Sequence, residues 1–285
     1  MALPEHDAPA LTPRTPRIVA AAKLHRGAAR RKAGRFLAEG PNSVSAAIAA
    51  GAAVELYVAA AAAARHPGIL AAAAAAGVRA HPIDDAAAAK LADTVTSTGL
   101  FALCAADAAL AEPGEVLAAA AAGGTGPGGI ALIGVDTADP GNAGTLIRMA
   151  DALGAAGVVL AGDCVDPLGG KVVRSTAGSL FHVPVARHRD IGAVLDAAAA
   201  AGVATLATAA DAELALGADP LPAGPVAWLL GNEAHGLDPA TRARADARVR
   251  IPIRGRAESL NLATAAAMCL WESARSRGAE PTHYA

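Results

Sequence analysis

The stretch IALIGVDTADPGNAGTLIRMADALGAAGVVL, residues 130–160, carries the pattern that decides the fold. Its six consecutive apolar or glycine residues, Ile130–Val135, predict a strand buried on both faces. Asp139-Pro140-Gly141 is turn chemistry, and Asn142 is a suitable N-cap for the helix that follows. Another apolar run at Gly157–Leu160 predicts the next strand. A strand, a helix and a strand in this order predict a parallel sheet covered by helices on both faces.

The same alternation extends in both directions along the chain. After residue 160, we predict strands at Phe181–Val185, Val203–Ala207, Val226–Leu230 and Arg248–Ile251, with helices around Lys171–Thr176, Asp190–Ala201 and Leu260–Arg275. Before residue 130, we predict a basic helix at 17–33 and strands at Arg35–Glu39, Val54–Val58, Val78–Ile83 and Leu100–Ala105. The chain is therefore predicted to be an α/β protein.

Stretches rich in proline or glycine divide this pattern into two domains. Residues 1–15 are proline-rich without periodicity, and residues 111–128 end in the glycine-rich run GGTGPGG that closes at residue 129. We predict a disordered tail at 1–15, a first domain at 16–110, a linker at 111–128, a second domain at 129–275 and a tail at 276–285. Both domains have a length that can bury a core.

Composition excludes several classes of protein. The chain has 285 residues, of which 54% are hydrophobic and 18% charged, so it is not intrinsically disordered. The longest uncharged run is broken by GGTGPGG, and the N-terminus lacks the basic start and apolar core of a secretory signal, so we expect a cytoplasmic protein. Its 3 cysteines are far apart and no metal-ligand spacing occurs, so neither disulfides nor a metal site is expected.

Basic residues are clustered although the net charge is only −2. The segment from Ala8 to Ala38 has many Lys and Arg residues and no acid, and the segment Arg242–Arg256 is rich in arginine with the single acid Asp246. Such clusters are either solvated helix faces or footprints for phosphates. We favour phosphate contacts, because the planar fork of arginine matches phosphate geometry. The candidates are Arg26, Arg30, Arg31, Lys32, Arg35, Arg254 and Arg256.

Common catalytic motifs are missing from the sequence. The phrase GGKVV lacks the spacing of a P-loop, and the segment after Ile130–Val135 lacks the glycine spacing of a dinucleotide-binding turn. Neither a zinc-protease HExxH nor a GxSxG nucleophile elbow occurs. The chemistry is therefore expected to proceed without a metal, a serine nucleophile or a nicotinamide cofactor.

Three segments join a buried strand to a polar turn. The first is residues 130–160, the second is AWLLGNEAHGL (227–237), and the third is VRIPIRGRAESLNLATAAAMCLW (249–271). Arg148 in the first segment is an exposed helix residue, a partner of Asp151 in a structural ion pair, or a guanidinium placed for an anion or a reacting hydroxyl. In this order the three segments resemble the motifs of the SpoU (TrmH-like) RNA 2′-O-ribose methyltransferases of the SPOUT superfamily.

The resemblance extends to the first domain and assigns a role to each domain. Residues 17–106, with HRGAARRKAGRFLAEG at 25–40, resemble the ribosomal-protein-like accessory domain of the rRNA-modifying members. The resemblance implies an RNA substrate-binding domain at 16–110 and a SPOUT methyltransferase domain at 129–275. It also implies a deep trefoil knot, S-adenosylmethionine as the cofactor, and a homodimer.

The resemblance also implies the site residues. Arg148 matches the family's essential arginine, and we favour an electrostatic role for it over proton abstraction because a guanidinium holds its proton tightly. Four polar residues would orient Arg148, the hydroxyl and the cofactor: Asn142, Glu233, Ser259 and Asn261. Five residues would contact the cofactor: Leu230, Gly231, Asn232, Ile251 and Leu260.

The full first domain favours 23S rRNA as the substrate. Relatives that act on tRNA commonly carry only short helical extensions, which makes a tRNA ribose methyltransferase the alternative within the same class. A non-catalytic protein for rRNA binding or assembly is the alternative from another class. The motif residues named above argue against it.

Overall fold

A computed structural model describes residues 9–94, 96–123 and 129–277 and divides the chain into two compact units. The first unit comprises the described residues up to Ala109 together with Leu168–His182. The second comprises Leu110–Pro167 and the described residues from Val183 onward. We expected a continuous second domain over 129–275, whereas Leu168–His182 cluster with the first unit.

The first unit is built on a four-stranded mixed sheet. Its strands, in the spatial order β1-β4-β2-β3, are β1 (Arg35–Glu39), β2 (Ala53–Ala59), β3 (Arg79–Ile83) and β4 (Leu100–Ala105). Strand β4 pairs antiparallel with β1 and β2, and β2 pairs parallel with β3. The bounds predicted for β1 and β4 are confirmed.

Helices pack on this sheet and cover its aromatic core. They are α1 (Pro16–Ala22), α2 (Gly27–Ala33), α3 (Pro41–Ala49), α4 (Ala60–Arg65), α5 (Pro67–Ala75) and α6 (Asp85–Leu91). The basic helix expected over 17–33 is two helices, because a 3-10 turn at Lys23–His25 precedes the extended backbone of Arg26. Phe36, Tyr57 and Phe101 are buried in this unit.

The segment before α1 is held by the sheet. The backbone N–H of Leu11 donates to the carbonyl of Pro82 at 2.8 Å, and the N–H of Asp84 donates to Leu11 at 3.1 Å. The prediction of a disordered tail over 1–15 is therefore wrong for this part, because Leu11 adds a bridge beside Ile83. Residues 1–8 lie outside the described residues.

The second unit is built on a seven-stranded sheet whose paired strands all run parallel. In the order β7-β6-β5-β10-β8-β11-β9, the strands are β5 (Ile130–Val135), β6 (Gly157–Ala161), β7 (Val185–His188), β8 (Ala204–Thr208), β9 (Leu214–Ala215), β10 (Val226–Leu230) and β11 (Ala247–Arg250). The parallel sheet is confirmed. The strand predicted at Phe181–Val185 begins only at Val185, because Ser179–Phe181 form a 3-10 turn.

The helices of the second unit connect these strands. They are α7 (Pro113–Gly123), α8 (Pro140–Ala152), α10 (Ile191–Ala200), α11 (Pro239–Arg244) and α12 (Leu262–Ser276), while α9 (Gly170–Ser175) belongs to the first unit. The linker expected over 111–128 is wrong over α7, because Val116, Leu117 and Ala120 of this helix are part of the hydrophobic core. The rest of that stretch, 124–128, lies outside the described residues.

The chain after α12 is anchored at its start. The Arg277 guanidinium donates to the carbonyls of Gly129 at 3.1 Å and Gly224 at 2.6 Å, so the expected tail at 276–285 does not begin at 276. Residues 278–285 lie outside the described residues. None of the described helices is long and apolar enough to cross a membrane. The trefoil knot stays a prediction.

The order of strands brings the three sequence motifs to one edge of the sheet. Strand β10 lies between β5 and β8, and β11 pairs with β8. Because parallel strands end at the same edge, the segments that follow β5, β10 and β11 emerge together. These segments are residues 136–139, 231–238 and 251–261.

Candidate active site

The first of these segments turns from β5 into α8. Asp139 is the N-cap of α8, and its Oδ1 accepts a hydrogen bond from the Asn142 backbone N–H at 2.8 Å. The prediction that Asn142 caps the helix is therefore wrong. Proline at N1 leaves the preceding aspartate in the cap position, so the Asn142 side chain is available for other contacts.

The second segment is a tight turn after β10. Asn232 and Gly236 form a bridge through backbone hydrogen bonds of 3.1 and 2.9 Å. A Cβ on Gly231 would lie 2.3 Å from backbone atoms of Gly236 and Leu237, so only glycine fits there. The Asn232 Oδ1 accepts from the Ala234 N–H at 2.8 Å, which orients this amide.

A chain of side-chain hydrogen bonds joins the three motifs. The Asn142 Nδ2 donates to Glu233 Oε1 at 2.9 Å, and the Asn261 Nδ2 donates to Asn142 Oδ1 at 3.0 Å. The Asn261 Oδ1 in turn accepts from the backbone N–H groups at the start of α12 as its N-cap. We call Asn142, Glu233 and Asn261 the polar triad. The structure thus brings together three of the five residues that were predicted to be catalytic.

Glu233 is held in the ionised form by its surroundings. Partial burial raises the pKa of its carboxyl, but hydrogen bonds from the Asn142 amide and from the backbone outweigh this, so the pKa lies below its usual range. The backbone donors are the N–H groups of Ala138 and Asp139, each 3.4 Å from a carboxylate oxygen. The ionised carboxylate accepts from all three donors and fixes which way the Asn142 amide faces.

Arg148 lies on α8, in the same helix as Asn142, and is exposed. Its side chain makes neither a hydrogen bond nor an ion pair with any residue that the structure describes. An exposed guanidinium that the protein leaves unpaired can bind an anion from solution.

The third segment contributes fewer contacts. Ser259 is exposed and has no hydrogen-bond partner within the described part of the chain. Ile251 is partly buried, Leu260 is 36% exposed and Ile253 is 39% exposed. These three apolar residues lie in the loop that follows β11.

The basic segment of the first unit contains one residue that cannot serve as predicted. Arg30 is buried, and its NH1 donates to the carbonyls of Leu24 at 2.8 Å and His25 at 3.0 Å. The prediction that Arg30 binds phosphate is therefore wrong, because its guanidinium satisfies the C-terminal end of the 3-10 turn. Arg26, Arg31 and Lys32 are exposed.

Arg35 and the arginines of the second basic cluster also differ in whether the protein's own groups bind them. The Arg35 NH1 donates to the Gly34 carbonyl at 3.1 Å, and this side chain is partly buried, so its contact with phosphate stays a prediction. Three arginines of the second cluster pair with acids: Arg242 with Asp211, Arg244 with Asp196 and Arg248 with Glu213. Arg254 and Arg256, the two that we predicted to contact phosphate, are exposed in the loop 251–261.

Sequence reasoning did not single out Asp136. It has a left-handed backbone with φ of 50°, and its carbonyl accepts from the Asn232 Nδ2 at 2.7 Å. An aspartate directly after a buried strand was the available signal, because Asp tolerates this backbone conformation better than most residues.

The described residues hold no group of three or more His, Cys, Asp or Glu side chains that could bind a metal ion. The three cysteines are buried and unpaired. Burial raises the pKa of Cys164 to about 11 and that of Cys104 to about 12, so these thiols are protonated at neutral pH.

Comparison with known proteins assigns the fold to a family. Residues 129–271 match the SpoU rRNA methylase family, and residues 15–102 match the MRM3-like substrate-binding domain. The fold is the mixed α/β fold of the SPOUT methyltransferases. It superposes on the AdoMet-bound rRNA methyltransferase from Sinorhizobium meliloti with a TM-score of 0.79 and 28% identity, covering 92% of this chain and 95% of that one. The chain belongs to the SpoU rRNA methylase family.

Two curated relatives are similar to about half of this chain. The 23S rRNA (guanosine(2553)-2′-O)-methyltransferase RlmP of Bacillus subtilis (strain 168) is 41% identical over 133 residues, which are 47% of this chain and 53% of the relative. The 23S rRNA (uridine(2479)-2′-O)-methyltransferase of Streptomyces viridochromogenes is 42% identical over 142 residues, 48% of this chain and 50% of the relative. The chain spans about half the length of these curated relatives.

Proposed function

We propose that the protein transfers a methyl group from S-adenosylmethionine to a ribose 2′-hydroxyl of RNA, with 23S rRNA as the substrate. The observation that carries this proposal is the polar triad, which joins all three family motifs at one sheet edge. Names of the relatives and of the AdoMet-bound structure support the same reaction.

The residues around this edge fit S-adenosylmethionine. Adenine has apolar faces, and the third segment presents the partly exposed apolar side chains Ile251, Ile253 and Leu260. The turn at Gly231 and Asn232 brings backbone atoms close to the end of buried β10, where Leu230 is 1% exposed. When bound, S-adenosylmethionine supplies a methyl group activated by its sulfonium.

The protein's own residues hold the acceptor and stabilise its charge. We assign Arg148 to the ribose hydroxyl and the adjoining phosphate, where its positive charge stabilises the oxygen as the hydroxyl proton passes to solvent water. Asn142, Glu233 and Asn261 fix the loops around this hydroxyl, and Ser259 adds a hydroxyl from the third segment. Direct displacement needs reacting atoms about 3 to 3.5 Å apart and in line, so orientation is the main requirement.

The exposed cations supply the RNA contacts in this proposal. We assign Arg26, Arg31 and Lys32 of the first unit and Arg254 and Arg256 of the second to phosphates. Arg35, which is partly buried, is a further candidate, whereas burial excludes Arg30. The match of residues 15–102 to a substrate-binding domain supports the role of the first unit.

We also propose that the protein is a homodimer through α12. Met268 is 41% exposed and Trp271 is 62% exposed, and both lie on this helix. Large apolar side chains rarely face solvent together without a partner. A second copy of the chain is the partner that the family resemblance implies.

A transfer assay tests the proposed reaction. The protein is incubated with S-adenosylmethionine carrying a labelled methyl group and with unmodified 23S rRNA or tRNA, and the RNA is digested to nucleosides. We expect label in a 2′-O-methylnucleoside from 23S rRNA. Label in tRNA alone would replace the substrate, and label in neither RNA, or on a base, would overturn the proposal.

A further inference from the structure

Asp136 stands at the point where β5 ends and the first segment of the site begins. Its φ of 50° places the backbone in the left-handed region, which disfavours side chains in general and which Asp and Asn tolerate best. Asp136 and Ala177 are the two non-glycine residues with positive φ within the described ranges 9–94, 96–123 and 129–277.

The carboxylate of Asp136 secures this conformation against the neighbouring strand. Its Oδ1 accepts a hydrogen bond from the Asp163 backbone N–H at 2.6 Å. The contact is close-fitting, because a Cβ on Gly162 would lie 2.2 Å from the same oxygen. The Asp136 N–H also donates to the Ala161 carbonyl at 2.8 Å. The end of β5 is thereby tied to the residues that follow β6.

The backbone of the same segment holds the turn after β10. The Asp136 carbonyl accepts from the Asn232 side chain at 2.7 Å. The N–H groups of Ala138 and Asp139, a few residues further on, donate to the Glu233 carboxylate. Both Asn232 and Glu233 therefore take their positions from the path of residues 136–139. That path is set by the left-handed turn at Asp136.

We propose that Asp136 is a positioning residue of the methyl-transfer site. Its carboxylate fixes the left-handed turn, and the turn presents the carbonyl and N–H groups that hold Asn232 and Glu233. Asp136 does not touch the reacting atoms; it acts through Glu233 and the rest of the polar triad. This inference rests on the proposed function, since the consequence is expected in the rate of methyl transfer.

Substitutions can separate the two properties of Asp136. Asp136→Asn keeps both a side-chain acceptor and tolerance of positive φ. Asp136→Gly keeps only the tolerance, and Asp136→Ala loses both. Asp107→Ala is the matched control, because Asp107 is exposed and its side chain makes no hydrogen bond with the described residues. The readout is the single-turnover rate per bound S-adenosylmethionine, with binding stoichiometry measured by calorimetry.

We expect Asp136→Asn and Asp107→Ala to stay within about threefold of the parent rate. Asp136→Gly should bind one cofactor per chain and react about tenfold more slowly, because small misplacement of reacting groups is costly. Asp136→Ala should be at least as slow. A merely structural role would lower the binding stoichiometry and leave the rate per bound cofactor unchanged.

Equal rates per bound cofactor in Asp136→Gly and the parent protein would overturn the positioning role, whatever the folding of Asp136→Ala. A parent protein that transfers no methyl group to either RNA would instead overturn the proposed function. The two failures are thus distinguished by the parent protein alone.

Discussion

The side-chain amide of Asn261 donates a hydrogen bond of 3.0 Å to the amide oxygen of Asn142, which lies 119 residues earlier in the chain. This contact joins the N-cap of α12 to the first turn of α8, and Asn142 continues the connection to Glu233. An asparagine amide offers a donor and an acceptor on one rigid group, so Asn142 can connect both partners at once. The site is therefore a cooperating unit, and its members should respond together to substitution.

The donor and acceptor roles in these hydrogen bonds make a specific prediction about Asn142 and Glu233. Asn142→Asp places two carboxylates face to face, and Glu233→Gln presents an amide where three donors need an acceptor. Each should lower the single-turnover rate at saturating cofactor by about tenfold or more, since the site loses its orientation.

The double variant Asn142→Asp with Glu233→Gln is the matched control. It exchanges donor and acceptor between the two positions, so Asn261 keeps an acceptor and the backbone N–H groups keep an oxygen. We expect the double variant to react faster than the two single losses multiplied together would predict, because substitutions at contacting residues are not independent. Strictly multiplicative effects would mean that the contact is incidental.

Gly231→Ala should damage the turn after β10. The added Cβ would meet backbone atoms at 2.3 Å, so the turn has to shift. We expect the free energy of unfolding to fall by about 1 to 3 kcal/mol, and S-adenosylmethionine affinity to fall at least tenfold. Chemical denaturation and calorimetry measure the two effects.

Gly114→Ala provides the comparison for that change, because its added Cβ would meet nothing within 4 Å. It should leave affinity unchanged and stability equal or higher. Unchanged affinity in Gly231→Ala would remove this turn from the cofactor site.

Substitution of Arg30 should affect stability, whereas substitution of its exposed neighbours should affect RNA binding. Arg30→Ala leaves the buried carbonyl of Leu24 without its donor, so unfolding should cost about 1 to 3 kcal/mol less. Replacing Arg26, Arg31 and Lys32 by Ala should leave stability unchanged and flatten the logarithmic salt dependence of RNA binding by about 2 to 3 units. Denaturation and binding titrations at several salt concentrations check both. If the salt dependence of the triple variant equals that of the parent protein, the phosphate contacts lie at Arg254 and Arg256 instead.

The exposed residues of α12 predict the oligomeric state. The parent protein should be a dimer at micromolar concentration by light scattering, and Met268→Glu with Trp271→Glu should be a monomer, because charges oppose burial in an apolar interface. Val54→Glu, which alters an apolar residue of the first unit that is 44% exposed, should leave the dimer intact. A monomeric parent protein would contradict the proposal.

Much of the fold could be predicted because the strands are continuous apolar runs. Strands β1, β4, β5 and β10 have the predicted bounds, and in β1, β5 and β10 a glycine or an acidic residue marks the end of the run. The helix α7 was mistaken for a linker because its alanines give a weak periodic signal next to a glycine-rich run. The strand β7 was predicted to begin too early, because the 3-10 turn before it also buries apolar residues.

The candidate site could be predicted by residue type but only partly by contact. The motifs indicated Asn142, Glu233 and Asn261, which the fold joins, whereas the only local signal for the left-handed turn was the position of Asp136 directly after a buried strand. Arg30 shows the limit of charge counting. A guanidinium on a basic helix can bind its own backbone, and spacing alone does not distinguish this from an exposed phosphate contact.

The most direct test of the account is the yield of 2′-O-methylnucleoside per bound S-adenosylmethionine in Arg148→Ala. We expect cofactor affinity within a few fold of the parent protein and methyl transfer to 23S rRNA reduced at least about a hundredfold, the loss typical of removing one positioned catalytic group. Arg148→Lys should also fail, because a point charge lacks the planar fork. Near-normal transfer in either variant would contradict the account, since the reaction would then not depend on the Arg148 guanidinium.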